Sequence, residues 1–259
     1  MDGKVFIEAD TATDYHYGYF ATVDANTGDD IWHVGTIPLA QGGSQAVSGD
    51  TVFCPGGDGA LWALDVDTGQ VQWTYWAGFN VRGHTALCSA PAVDETNGWV
   101  IGIADTGRMF VLNKDTGRVV KEAFLGLPSW TVTDPATPHP DAGYWLPGPS
   151  GIAISPDDGL LYVAGTDYDR AWIETNTYGR EKLFCYDYVS DPNNLILKWE
   201  YQFCKDDNCS IANNEFIVRG HGPYVVAWYS VPSPALADGH VYYASTNGKI
   251  YCFGDPYTP

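Results

Sequence analysis

A phrase in which an apolar strand runs into Asp-x-x-Thr-Gly and out into a second apolar strand returns along this chain. Ala21-Thr22-Val23-Asp24-Ala25-Asn26-Thr27-Gly28 is followed by Ile31-Trp32. Leu61-Trp62-Ala63-Leu64-Asp65-Val66-Asp67-Thr68-Gly69 leads to Val71-Gln72-Trp73, and Phe110-Val111-Leu112-Asn113-Lys114-Asp115-Thr116-Gly117 leads to Val119-Val120. A degenerate copy runs from Leu183-Phe184-Cys185-Tyr186-Asp187 to Leu197-Lys198-Trp199, its turn rewritten as Ser190-Asp191-Pro192-Asn193. Another stops after Ile250-Tyr251-Cys252-Phe253-Gly254. Each copy reads as a β-hairpin: alternating apolar residues supply a packing face, and glycine accepts the positive φ that the turn needs.

Upstream of the hairpins lies a second strand pair. Ser89-Ala90-Pro91-Ala92-Val93-Asp94 precedes Gly98-Trp99-Val100-Ile101-Gly102-Ile103, and Ser233-Pro234-Ala235-Leu236-Ala237-Asp238 precedes Gly239-His240-Val241-Tyr242-Tyr243-Ala244. Four antiparallel strands per unit of roughly 40 to 50 residues make a propeller blade. The expectation is an all-β chain, a β-propeller of four-stranded antiparallel blades forming a single domain over residues 1–259. About five blades are visible: the first lacks an innermost strand, three are complete and the last lacks its outermost strand, so the ring is either small or part of a larger one. Composition agrees, with 14% aromatic residues against only 17% charged, and little that favours helix.

The pattern from Leu61 to Trp73, together with Pro147-Gly148-Pro149-Ser150-Gly151 running to Gly159-Leu160-Leu161-Tyr162-Val163, resembles the pyrroloquinoline quinone (PQQ) repeat, or quinoprotein-like, propellers. That family holds alcohol dehydrogenases and non-catalytic relatives alike, so the resemblance speaks for fold before function. The dehydrogenases are generally eight-bladed. They commonly carry an adjacent Cys-Cys disulfide, and some carry a haem Cys-x-x-Cys-His segment; this sequence has neither. Nor does it have a Gly-x-Ser-x-Gly elbow or a phosphate-binding loop.

In a propeller the connections between blades and the loops joining second to third strands open on one face. Here these are the long segments: 36–46, 78–87, 127–150 and 205–231 between blades, and 10–19 and 166–182 within them. Two share a phrase, Val81-Arg82-Gly83-His84 and Val218-Arg219-Gly220-His221. Arg82 and Arg219 can clamp a carboxylate, with His84 and His221 exchanging a proton, or each can tie its own loop to backbone carbonyls. Asp167, Asp169 and Glu174 offer oxygen ligands for a calcium ion, or form a solvated acidic loop. Trp130, Tyr144, Trp145, Trp172 and Trp228 can stack a flat ligand or a sugar, or pin the loops down. Cys204 and Cys209 bracket a polar loop that a disulfide can close, which implies an oxidising compartment, extracellular, cell-surface or periplasmic. Cys185 and Cys252, at matching repeat positions, read as small buried apolar residues.

The 32 acidic residues against 13 basic give a net charge of −19, which repels nucleic acid and anionic lipid, and no apolar run approaches a membrane helix. No signal peptide opens the chain, and Met1-Asp2-Gly3-Lys4 passes straight into a strand, as though a leader had been removed. Three functions follow as expectations. The first is a non-catalytic binding or assembly propeller with protein or glycan partners, able to associate through unpaired blade edges. The second, implied by the resemblance, is a PQQ-dependent alcohol dehydrogenase with calcium, using Arg82 and Arg219 around the cofactor and Asp105 or Asp167 as carboxylates. The third is carbohydrate binding on the aromatic face.

Overall fold

The structure, a computed structural model, describes residues 3–11, 14–37, 44–57, 59–78, 87, 89–104, 107–125, 150–167, 180–203, 232–245 and 248–254. They form five antiparallel sheets. The first holds β1 (Lys4–Thr11), β2 (Asp14–Asp24) and β3 (Asp30–Ile37). The second holds β4 (Ala46–Ser48), β5 (Thr51–Pro55), β6 (Ala60–Asp65) and β7 (Val71–Trp76). The third holds β8 (Ala92–Asp94), β9 (Trp99–Ile103), β10 (Arg108–Asn113) and β11 (Val119–Phe124). The fourth comprises β12 (Ala153–Ser155), β13 (Leu160–Asp167), β14 (Arg180–Asp187) and β15 (Ile196–Gln202). The fifth has β16 (Ala235–Ala237), β17 (His240–Ala244) and β18 (Ile250–Phe253). Strands follow one another in order across every sheet, as blades do, and among the described residues the first and fifth sheets have three strands where the others have four.

Period-two alternation divides each sheet between its two neighbours. From the first sheet, Phe20 and Trp32 pack on Val52, Cys54 and Leu64 of the second. The other face of the second sheet, with Phe53, Leu61 and Ala63, meets Val100 and Leu112 of the third. Ile101, Met109 and Val111 then meet Leu161, Val163 and Tyr186 of the fourth, and Tyr162, Leu183 and Cys185 meet Val241 and Tyr243 of the fifth. The hydrophobic core is therefore four inter-sheet layers in series, and among the described residues no buried cluster joins the fifth sheet back to the first.

The hairpin turns are held identically. The Asp65 Oδ1 accepts the Asp67 and Thr68 N–H groups, and the Gly69 N–H donates to the Asp65 carbonyl at 2.9 Å. Asp24 does the same for Asn26, Thr27 and Gly28, and Asn113, with an amide oxygen in place of a carboxylate, for Asp115, Thr116 and Gly117.

Two expectations change. Residues 10–19 are not a loop: β1 and β2 continue as a paired hairpin out to Thr11 and Asp14. Cys185 is buried as expected but Cys252 is exposed, because Cys185 faces the fifth sheet whereas nothing described covers the corresponding face of the fifth sheet.

Candidate functional site

The described residues show how the strand ends flanking the long segments are fixed. At the foot of the segment after β7, the Ala77 N–H donates to the Gly59 carbonyl and the Leu87 N–H to the Gly56 carbonyl. The Ala77 carbonyl accepts from Arg108 Nη1 at 2.8 Å. Arg108 is buried and donates through Nη2 to Glu122 Oε1 at 2.6 Å, and Tyr75 also donates its hydroxyl to Glu122. Burial pushes the Tyr75 hydroxyl well above its ordinary value, so it stays a neutral donor. Three polar groups from two sheets thus close a bonded set where β7 ends.

A second such set lies between the fourth and fifth sheets. Glu181, buried on β14, accepts from the Tyr243 hydroxyl and the Ser245 hydroxyl, each at 2.6 Å, while its carbonyl accepts the Phe203 N–H at the base of the segment that follows. Burial, reinforced by the Glu181 charge, raises the Tyr243 pKa. Between them, the Ser150 hydroxyl accepts the Ala164 N–H and the Gly151 N–H donates to Ser233 Oγ at 2.9 Å. Gly151 approaches Ser233 so closely that a Cβ there would lie 2.6 Å from the hydroxyl, which is why this crossing needs glycine.

Arg108, Glu122 and Glu181 were not among the residues singled out from sequence. The signal was present: an Arg directly before Met109-Phe110-Val111-Leu112 is a charge at the start of a strand buried on both faces, and such a charge needs a partner.

Of the residues that were singled out, Arg82, His84, Asp105, Trp130, Tyr144, Trp145, Asp169, Trp172, Glu174, Cys204, Cys209, Arg219, His221 and Trp228 lie outside the described residues. Asp167 is the last residue of β13, its backbone paired with Arg180.

The blades are also linked at their outer edges. Trp32 Nε1 donates to the Val66 carbonyl at 3.0 Å, and its ring lies on Gly69, where a Cβ would stand 2.6 Å away. Trp73 Nε1 donates to the Lys114 carbonyl at 3.0 Å over Gly117 in the same manner. Trp32 stands eight residues after Asp24 and Trp73 eight after Asp65; eight after Asn113 stands Lys121. Its ammonium, 5.0 Å from the Trp99 ring centroid, donates to the Tyr188 carbonyl at 2.7 Å and the Asp191 carbonyl at 2.6 Å. Lysine thus fills the place of the indole where the next turn has Asp191 instead of glycine. Burial lowers the Lys121 pKa, with Asp191 and Asp187 pulling the other way.

Comparison with solved structures places this architecture among propellers. The quinohemoprotein alcohol dehydrogenase from Comamonas testosteroni aligns with a TM-score of 0.60 at 18% identity, over 100% of this chain and 42% of its own. The quinohemoprotein alcohol dehydrogenase ADHIIG from Pseudomonas putida HK5 aligns at 0.60 and 16%, over 98% and 49%. The computationally designed Ika8 protein aligns at 0.54 and 13%, over 96% and 57%. At these identities the likeness is one of fold, and the chain spans about half the length of the structures it matches. No curated protein matches the chain. A family model described as outer membrane protein assembly factor BamB matches residues 16–181, well over half of the sequence, including the first three Asp- or Asn-led hairpins, and the chain accordingly belongs to the PQQ-repeat β-propeller family that this model describes.

Proposed function

We propose that this chain is a non-catalytic binding or assembly propeller acting outside the cytoplasm, at the cell surface or in the periplasm, with protein or glycan partners. The observation that carries the reading is the match of residues 16–181 to a family described by an assembly factor. It is supported by how the buried polar residues are used: Arg108, Glu122, Tyr75 and Glu181 spend their hydrogen bonds fastening sheets and loop bases together. A rigid frame is what a recognition surface requires.

A PQQ-dependent alcohol dehydrogenase is the second reading, favoured by the repeated Val-Arg-Gly-His phrase at Arg82 and Arg219 and by the carboxylates of Asp105 and Asp167. The described residues do not form a cradle for the quinone: Arg108 and Lys121, the buried cations among them, are committed to Glu122 and to backbone carbonyls.

Calorimetric titration with PQQ, with and without Ca²⁺, followed by dye reduction with simple alcohols, separates the two. The expected result is no saturable heat and no turnover by a folded chain. Binding with turnover overturns the scaffold reading and makes Arg82 and Arg219 the first residues to mutate.

A further inference from the structure

One of the layers between sheets is not built like the others. Strand registers put the sheets in step, since Lys4 pairs with Asp24 as Thr51 pairs with Asp65, Trp99 with Asn113 and Leu160 with Asp187. Equivalent positions can therefore be compared layer by layer. Between the first and second sheets, Glu8 stands where the next three layers have Pro55, Ile103 and Ala164, and Thr22 where they have Ala63, Val111 and Cys185. From the second sheet, Cys54 stands where Gly102 and Val163 stand in the third and fourth, and Trp62 where Phe110 and Phe184 stand. Gln45 directly precedes β4, as Pro91 precedes β8 and Ile152 precedes β12. At five matching places, small or apolar residues have thus given way to residues that can hydrogen-bond.

The five are neighbours. Cys54 pairs with Trp62, and both belong to the core that Phe6, Phe20 and Trp32 form with the second sheet. Thr22, wholly buried, pairs with Phe6 and Trp32. Gln45 lies one step before Ala46, which pairs with Phe53, and so stands beside Cys54. Burial, and then the charge of Glu8, push the Cys54 thiol well above its ordinary value, which puts that carboxylate close to the sulfur. Thr22 Oγ1, Gln45 Nε2 and Trp62 Nε1 are buried with no hydrogen-bond partner among the described residues. In the later layers the buried hydroxyls are matched: Tyr188 donates to Asp94 at 2.7 Å, and Tyr243 to Glu181. A buried donor without an acceptor is costly, so two of them beside a carboxylate describe a site shaped for an acceptor.

The set selects the chemistry of its occupant. The Trp62 indole and the Gln45 amide nitrogen only donate, whereas an ionised carboxylate such as Glu8 only accepts and has room for several donors. An anion is repelled by Glu8, and a bare cation satisfies neither N–H group. A hydroxyl oxygen meets both demands, accepting through its lone pairs and donating its own proton. We propose that the layer between the first and second sheets is a binding site for a hydroxyl oxygen, which accepts from Trp62 Nε1 and Gln45 Nε2 and donates to Glu8, with the Thr22 hydroxyl beside it. An internal water and a hydroxyl group of a small polyol share this chemistry. The inference holds whether the chain is a scaffold or an oxidoreductase.

The test is NMR on the full chain, with Trp32 and Trp73 as internal controls, because their indoles donate to the Val66 and Lys114 carbonyls. Trp62→Phe identifies the Trp62 indole signal by its loss and is expected to fold, since phenylalanine holds the same place at Phe110 and Phe184. In the parent protein, magnetisation transfer from a long-lived bound oxygen's protons is expected at the Trp62 indole and the Gln45 amide, with none at Trp32 or Trp73. Titration with glycerol and then glucose separates the two sources. A saturable shift of the Trp62 indole with loss of transfer from water assigns the oxygen to a polyol; an unmoved signal that keeps the transfer assigns it to water. Neither transfer nor a saturable shift at Trp62 overturns the proposal, and displacement of that silent signal by Glu8→Gln would then identify a direct bond from the indole to Glu8 in its place. Equal transfer at all three indoles also overturns it, by reporting general solvent access.

Discussion

Lys121 is the residue at which this repeat departs from its own rule. An indole needs glycine beneath it, since a Cβ on Gly69 or Gly117 would stand 2.6 Å from the ring, and the equivalent turn in the fourth sheet offers Asp191. A slim flexible amine reaches the same carbonyl position without that clearance. Lys121→Met keeps the stem and removes both donors, leaving the Tyr188 and Asp191 carbonyls short of a partner; the expected loss is about 1–3 kcal/mol, read as a lower urea midpoint at an unchanged slope. The glycines allow a sharper comparison. Alanine at Gly28 carries only the left-handed backbone penalty of about 1–2 kcal/mol, since among the described residues nothing stands within 4 Å of its Cβ position. Alanine at Gly69 carries the same penalty and also displaces Trp32, adding about 1–3 kcal/mol of overpacking. Gly69→Ala is therefore expected to unfold at lower denaturant than Gly28→Ala, with the difference measuring how firmly the indole is seated.

At the scale of the hairpin, the turns make the chain acid-sensitive. The Thr68 hydroxyl and then its N–H hold the Asp65 carboxyl below its ordinary range, while the Asn26 and Thr27 N–H groups do so for Asp24. A carboxylate depressed in the fold adds stability above its unfolded value of about 3.9, and that stability is lost as pH falls through the folded value. The third sheet contains its own neutral control, for Asn113 makes the same bonds with an amide oxygen. Asp65→Asn is therefore expected to fold normally, and its Tm should converge on that of the parent as pH drops below about 4, measured by thermal melts across pH. A Tm gap that widens in acid contradicts this account. The hairpins were the most legible part of the sequence, because a turn that needs positive φ and a short capping oxygen leaves few residue choices. Lys121 was not legible, since β11 reads simply as Val119-Val120 until the spacing from Asn113 is counted. The loop-base sets at Glu122 and Glu181 were hidden for another reason: their partners Tyr75 and Tyr243 lie in neighbouring sheets, and no local pattern encodes that contact. For the loop residues Arg82, Arg219 and Trp228, a shared Val-Arg-Gly-His phrase and the aromatic content suggested chemistry, but these residues lie outside the described ones.

Across the whole molecule, cores in series imply stability that depends on neighbours, as in other repeat architectures. The second, third and fourth sheets each bury both faces, the third between the Phe53–Phe110 layer and the Met109–Leu161 layer. Among the described residues the fifth is held on one side only, through Val241 and Tyr243, and on the other leaves Tyr242 39% and Ile250 80% exposed. Opening the fifth sheet breaks one layer, whereas opening the third breaks two. Native-state hydrogen exchange should therefore rank the amides of β9 and β10 as the best protected and those of β16 to β18 among the least, with the first sheet also below the middle three. Tyr243→Phe removes one donor to Glu181 and should accelerate exchange in the fifth sheet while leaving β9 and β10 unchanged. Equal acceleration in every sheet would mean instead that the five sheets open as one unit, in which case the interfaces, though similar in form, couple too strongly for the ends to fray independently.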